Sequence, residues 1–403
     1  MLPVLRDRFN RDFTPEKYAK FLSALDAACG AHVKFRVCET PCFFSRALIE
    51  RLATAGREMI HQLVDDPSYR EASRAAIPPE FNVPAEASRP LFIQADFGLV
   101  LGANGEIEPR LVEIQAFPSL YAYQVCLLEA YRDTYSLDAG LRAFLDFPDV
   151  DSYLRELHRA IVAGHDPENV VLLEIQPWEQ KTLPDFAATE KLIGVRPVCV
   201  TEVKKEGRRL YYHRDARRIP IRRIYNRVIV DELVRKNLPL PFSFRDDLDV
   251  EWAGHPNWFF RISKFSIPFL KHPAVPRSWF LDRLPEWPAD LEGYVLKPLY
   301  SFAGLGVIVG PTRADLDAIP PEKRGEYLLQ ERMHFEPVIA TPHGPTQAEL
   351  RIMYLWVDHR KGDVKDDLKV GPCIVRMGRG KMMGVDHNRD LEWVGASGAF
   401  LSD

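Results

Sequence analysis

The sequence predicts a mixed α/β chain of the α+β kind, in which helices, a parallel strand pair and antiparallel strands occupy separate stretches. Three observations carry this. The first ninety residues space their apolar side chains three and four apart. Residues 169–203 run strand, helix, strand, the order of a parallel pair joined by a crossover. From about residue 255 the chain breaks into short β-like runs separated by turns, a mainly antiparallel pattern.

In chain order, PEKYAKFLSALDAACG (15–30) keeps a helical period and ends on Gly30, a C-terminal cap. SRALIERLATAGREMIHQLV (45–64) opens on Ser45, an N-cap, and keeps the same period. LFIQADFGLVL (91–101) and EPRLVEIQAF (108–117) read as two strands joined through Asn104-Gly105, a hairpin turn. LEAYRDTYSLDAGLRAFL reads as helix. NVVLLEI (169–175) and VRPVCVTEV (195–203) are strands flanking the helical LPDFAATEKLIG, and KKEG turns the chain into RRLYYHR. DARRIPIRRIYNRVIVDELV (215–234) supplies a third apolar stretch and a helix. WFFRISKFSIPFL, YVLKPLY, GVIVGP, EYLLQERM, ELRIMYLWV and VGPCIVRM are the short β-like runs. The expected regions are 1–160, with helices and hairpin; 161–250, an α/β unit; and 251–403, rich in strands.

At 403 residues the chain is long enough for two or three packed regions. Hydrophobic content of 46% and charged content of 27% are ordinary for a globular protein. A net charge of −4 gives no global field toward nucleic acid or membrane. No apolar run approaches the ~18 residues of a membrane span. The start, MLPVLRDRFNRDF, meets charge too early for a signal peptide. Cys38 and Cys42 lie four apart, but no second pair at zinc spacing completes a site. All six cysteines are therefore read as reduced thiols, and the chain as cytoplasmic.

Several constellations carry chemistry. Lys297 closes an apolar strand and precedes the small-residue loop SFAGLG. A lysine ammonium suits phosphate oxygens, and small residues let backbone N–H groups approach them. No G-K-[ST] follows, so this is not a P-loop. A plain strand end and turn accounts for the same residues. EYLLQERM places Gln330 and Glu331 at a strand end, where an edge backbone could meet a base and a carboxylate a ribose. Glu349, Arg351, Arg376 and Lys381 lie at the ends of two later strands, around the connector KGDVKDD; arginines there suit phosphate or carboxylate, and equally a surface. Glu113 and Gln115 are two apart on a strand and face one side, with Asp96 across the hairpin. Oxygen donors so placed suit Mg²⁺, as they suit a solvated sheet face. The basic span 204–227 has little aromatic interleaving and reads as a solvated hairpin face.

The order Lys264, Lys297 with its glycine loop, QERM, ELR and the Arg376 strand resembles the ATP-grasp superfamily. Glu113-x-Gln115 lies far upstream instead of last, as in circularly permuted members: eukaryotic-type glutathione synthetases and glutathionylspermidine-synthase-like ligases. QADFGLVLGANGEIEPRLVEIQ is similar to the synthetase hairpin that runs from R-S-D-Y into V-E-I-N. YVLKPLYSFAGLGV resembles its V-L-K-P glycine loop, QERM its M-E-K-I hinge, and AELRIMYLWV its S-E-L-G strand. IYNRVIVDEL is similar to a substrate-holding Tyr-x-Arg segment.

The resemblance implies a circularly permuted ATP-grasp fold with an inserted α/β substrate domain. It implies ATP and Mg²⁺ as cofactors. Lys264 and Lys297 would contact phosphates beneath a loop holding Ser301, Gly304 and Gly306. Gln330, Glu331 and Glu349 would line the adenosine pocket, and Glu113, Gln115 and Asp96 would hold Mg²⁺. Arg376 would stabilise the transferred phosphoryl group and Arg227 a substrate carboxylate. The partners implied are a small-molecule carboxylate and an amine or thiol, with no nucleic acid or membrane, and a second copy of the chain in a homodimer. Three departures argue against glutathione synthesis itself: Gln115 replaces the family's asparagine, Ser301 a metal-binding glutamate, and Gln94 a substrate-binding arginine. A small-molecule kinase and a degenerate, non-catalytic nucleotide binder are the alternatives.

Overall fold

The computed structural model describes residues 2–300, 304–357, 368–380, 382–384, 388 and 390–403. Ser301, Lys381 and the KGDVKDD connector lie outside them. Six strands form the central sheet, in the order Cys42–Ser45, Gly395–Ser402, Leu368–Gly378, Gln347–Trp356, Phe92–Leu101 and Ile107–Gln115. The first pair is parallel and the others antiparallel. The segments 1–160 and 251–403 thus share one sheet.

Alternation along these strands divides the core. Ile93, Leu350, Ile352 and Val375 face the helix Arg46–Val64 through its Leu52, Met59 and Ile60. Phe92, Met353, Leu355 and Ile374 face the helix Tyr123–Tyr135 through Leu127 and Tyr131. Farther along that second face the same alternation presents Asp96, Glu113, Glu349, Arg351 and Arg376. The face is apolar where a helix covers it and charged where none does.

Both expected caps are present: Gly30 ends the helix Pro15–Cys29 with φ 77°, and the Ser45 hydroxyl accepts from the Leu48 N–H. The strands Val170–Glu174 and Arg196–Cys199 pair in parallel, joined by Arg223–Asn226 and Glu251–Ala253 in a four-stranded sheet. Lys204–Glu206, Arg209–Arg214 and Arg217–Ile221 form a separate antiparallel sheet. Several basic side chains of this sheet and its turn are answered by carboxylates, Arg208 by Asp249 at 2.8 Å, Arg217 by Glu168 at 2.6 Å and Lys205 by Asp246 at 2.6 Å. That is a solvated, self-neutralised face. A third antiparallel sheet runs Ser278–Phe280, Tyr327–Glu331, Tyr294–Pro298 and Ile308–Val309.

Three expectations differ from the structure. WFFRISKFSIPFL is a short helix, Asn257–Arg261, followed by a 3-10 turn, Lys264–Phe269. Period alone does not separate a short apolar run from a buried helical turn, and the Ser263/Ser266 capping box selects the turn. VRPVCVTEV is strand only over Arg196–Cys199, because Val200–Val203 turn into the next sheet. The helix expected through residue 145 stops at Tyr135, where Ser136 takes φ 49°. All six cysteines are free and buried. Among the described residues no helix is long and apolar enough to cross a membrane.

Candidate functional site

The charged end of the central sheet forms one network. Asp96 pairs with Glu113 on one side and Arg351 on the other, and Glu349 pairs with Arg376. Arg351 donates from Nε and Nη2 to the two Asp96 oxygens at 2.6 and 2.7 Å. Arg376 Nη2 donates to both Asp96 and Glu349. Burial alone would raise the Asp96 carboxyl, but the two guanidiniums outweigh it and hold it below the usual range. Burial pushes Glu349 up against the pull of Arg376, while these two carboxylates push Arg376 higher still.

Two lysines reach this network from outside the sheet. Lys264 opens the 3-10 turn and places Nζ 3.2 Å from Glu113 Oε1. Lys297, the penultimate residue of the strand Tyr294–Pro298, is 8% exposed and donates from Nζ to the Val112 carbonyl at 3.1 Å and to Gln330 Oε1 at 2.5 Å. The ladder skips Val112, passing from Glu113 opposite Asp96 to Leu111 opposite Phe97. That bulge leaves the Val112 carbonyl for the lysine. Burial lowers Lys297 to about 8, with Lys264 adding to the depression and Glu113 opposing it.

Gln330 Nε2 and Arg376 Nε are both buried without a hydrogen-bond partner. Both are donors, so what they lack is an acceptor oxygen. Gly304 and Gly306 follow with φ of 75° and 74°, and a Cβ on Gly306 would come 2.9 Å from Pro298 Cγ. Only glycine lets the loop fold back on the strand end there. The structure thus brings together Lys264, Lys297, Gln330, Glu349, Arg376, Glu113 and Asp96.

Other expected residues stand differently. Glu331 points away from Gln330, as successive strand residues do, and binds Arg277 at 2.6 Å, beside a cavity of about 430 Å³ lined also by Tyr294 and Arg332. Its strand is an interior one, so its backbone offers no free edge to a base. Asp96 serves as counter-ion to two arginines, with Arg351 on both of its oxygens and Arg376 on one. Gln115 gives its amide N–H to Gln94 Oε1 at 3.2 Å. Arg227, expected to hold a substrate carboxylate, is 3% exposed and bound to Asp185 at 2.5 Å, with its guanidinium 5.0 Å from the Phe186 ring centroid. Its charge is already neutralised within the protein. Asp185, which sequence reading missed inside a helical stretch, also accepts from the N–H groups of Leu120, Ala122 and Tyr123. Among the described residues no group of three or more His, Cys, Asp or Glu side chains could hold a metal ion. A larger cavity, of about 630 Å³, has Arg70, Arg74 and Trp356 in its wall and shares no residue with the network.

No family model matches this chain, and no curated protein matches it. Among solved structures, the fold is similar to that of a glutathione synthetase-like effector from Globodera pallida in its apo form. The TM-score is 0.61 at 12% identity, over 97% of this chain and 98% of that one. The chain therefore has a mixed α/β, glutathione synthetase-like fold.

Proposed function

We propose that the network is the phosphate end of an ATP site of the permuted ATP-grasp type, and that the protein is an ATP-dependent ligase joining a small-molecule carboxylate to an amine or thiol. The observation that carries this reading is the convergence of two buried lysines, Lys264 and Lys297, on the charged end of the sheet, beside two buried, unpartnered donors, Gln330 Nε2 and Arg376 Nε. A buried ammonium is costly unless an anion meets it, and a polyphosphate supplies many acceptor oxygens to Lys264, Lys297 and Gln330.

The chemistry is activation of the carboxylate as an acyl phosphate, then its capture by the nucleophile. Arg376 stabilises the charge of the transferred phosphoryl group, and the loop of Gly304 and Gly306 keeps water from the activated acid. No side-chain nucleophile is required; positioning and electrostatics supply the rate. The residues present do not fit a protein-held magnesium ion: Asp96 is bound by arginines and Glu113 by Lys264, so no step is drawn through the metal. ADP release across a panel of acids with amines and thiols tests the reading, and a panel without turnover for a protein that binds ATP sinks it. The arginine-bound Asp96 favours a second reading, nucleotide binding without turnover, which that same result would support.

Affinity should depend on pH through Lys297. Without ligand, burial lowers it to about 8; with phosphate beside it the charged form is favoured, so binding takes up a proton above that pH. ATP affinity should be roughly tenfold weaker at pH 9, one unit above that value, than at pH 7. A calorimetric titration flat to pH 9 would show that Lys297 does not meet the phosphates.

A further inference from the structure

We infer that this cleft takes the polyphosphate of a nucleotide without a protein-held divalent cation, with Arg376, Lys264 and Lys297 supplying the positive charge that a metal would otherwise bring. The inference rests on the nucleotide reading above and adds to it which charges bind.

Each carboxylate of the network already has a cationic side chain. Both Asp96 oxygens accept from Arg351, and one also from Arg376; Glu349 accepts from Arg376; Glu113 faces Lys264 at 3.2 Å. A divalent ion on Asp96 would have to displace the guanidiniums that lie against both of its oxygens, which would then stand uncompensated. Among the described residues, Glu113 and Glu349 would offer a metal only carboxylates that already share a cation, and Gln115 a neutral amide oxygen. The polar atoms left without partners are of the opposite kind. Gln330 Nε2 and Arg376 Nε are donors, and they call for an anion's oxygens, never for a cation.

The charge balance points the same way. Lys264, Lys297, Arg351 and Arg376 face Asp96, Glu113 and Glu349, four cations against three carboxylates. Burial also pushes the Glu349 carboxyl toward its neutral form, which enlarges the surplus. Arg376 keeps a side-chain exposure of 25%, so it can reach a ligand while holding its carboxylates.

The test is calorimetry on the full chain with ATP, once in EDTA and once in excess Mg²⁺. The expected result is a dissociation constant in EDTA equal to or tighter than that in magnesium, to within about threefold, and Arg376→Met weakening the EDTA value by about tenfold or more. Binding that survives in magnesium but is lost in EDTA would overturn the inference and leave the nucleotide reading standing. Absence of binding in both would remove the nucleotide reading, and this one with it. Mn²⁺ titrated alone and followed by electron paramagnetic resonance should stay free; micromolar Mn²⁺ binding, lost in Glu113→Gln, would also overturn the inference.

Discussion

Lys297→Met is expected to abolish the rise in melting temperature that ATP gives the wild-type protein. At about 100 times its dissociation constant a ligand adds about 2.7 kcal/mol, which for a chain of this size is roughly 2 °C or more. The variant should show none of it. Lys297 is 8% exposed and its Nζ sits between the Val112 carbonyl and Gln330, so no other side chain can take its place. The unliganded variant should melt close to the wild type. Two hydrogen bonds are lost, but so is a charge whose burial lowers it to about 8. Differential scanning fluorimetry reads both quantities together. Lys204→Met, on the exposed hairpin, provides the control and should keep the full shift. A retained shift in Lys297→Met would mean that ATP binds elsewhere, and the network would then be a structural ion cluster.

What could be read from the sequence was local. Gly30 and Ser45 announce helix ends because a cap acts within one turn of its own helix. Lys297, the glycines after it and the Glu113-x-Gln115 pair could be picked out for the same reason: each is a short pattern on one strand. Which of them meet is decided by register between strands far apart in sequence. Arg351 and Asp96 are separated by 255 positions, and their pairing gives Asp96, read from the sequence as a metal ligand, an arginine against both of its oxygens. Nothing local distinguishes the two roles of an aspartate. The parallel pairing of Cys42–Ser45 with Gly395–Ser402, which ties the two ends of the chain into one sheet, has no local signal either. The bulge at Val112 carries no Gly or Pro to mark it, so only the ladder reveals it.

Arg227 and Asp185 carry the largest expected effect on stability. Asp185→Ala should lower it by about 3–5 kcal/mol, since it strands a buried guanidinium. Asp185 is fully buried and accepts from Arg227 at 2.5 Å and from the N–H groups of Leu120, Ala122 and Tyr123 at 3.1, 3.1 and 3.0 Å. Those donors lie at the start of the helix Tyr123–Tyr135, which lacks a side-chain cap of its own. One carboxylate therefore serves as helix cap and counter-ion together, joining the α/β unit to the helix that covers the central sheet. Arg227→Met leaves the three N–H contacts in place and should cost less than Asp185→Ala. The double variant should lie nearer Asp185→Ala than the sum of the two, because the stranded charge is gone while the uncapped N–H groups remain. Thermal or urea unfolding of the three variants measures the cycle. A substrate-binding arginine behaves otherwise: Arg227→Met would then melt like the wild type while losing turnover. That outcome would restore Arg227 to the site and require the Asp185 pair to open when substrate binds.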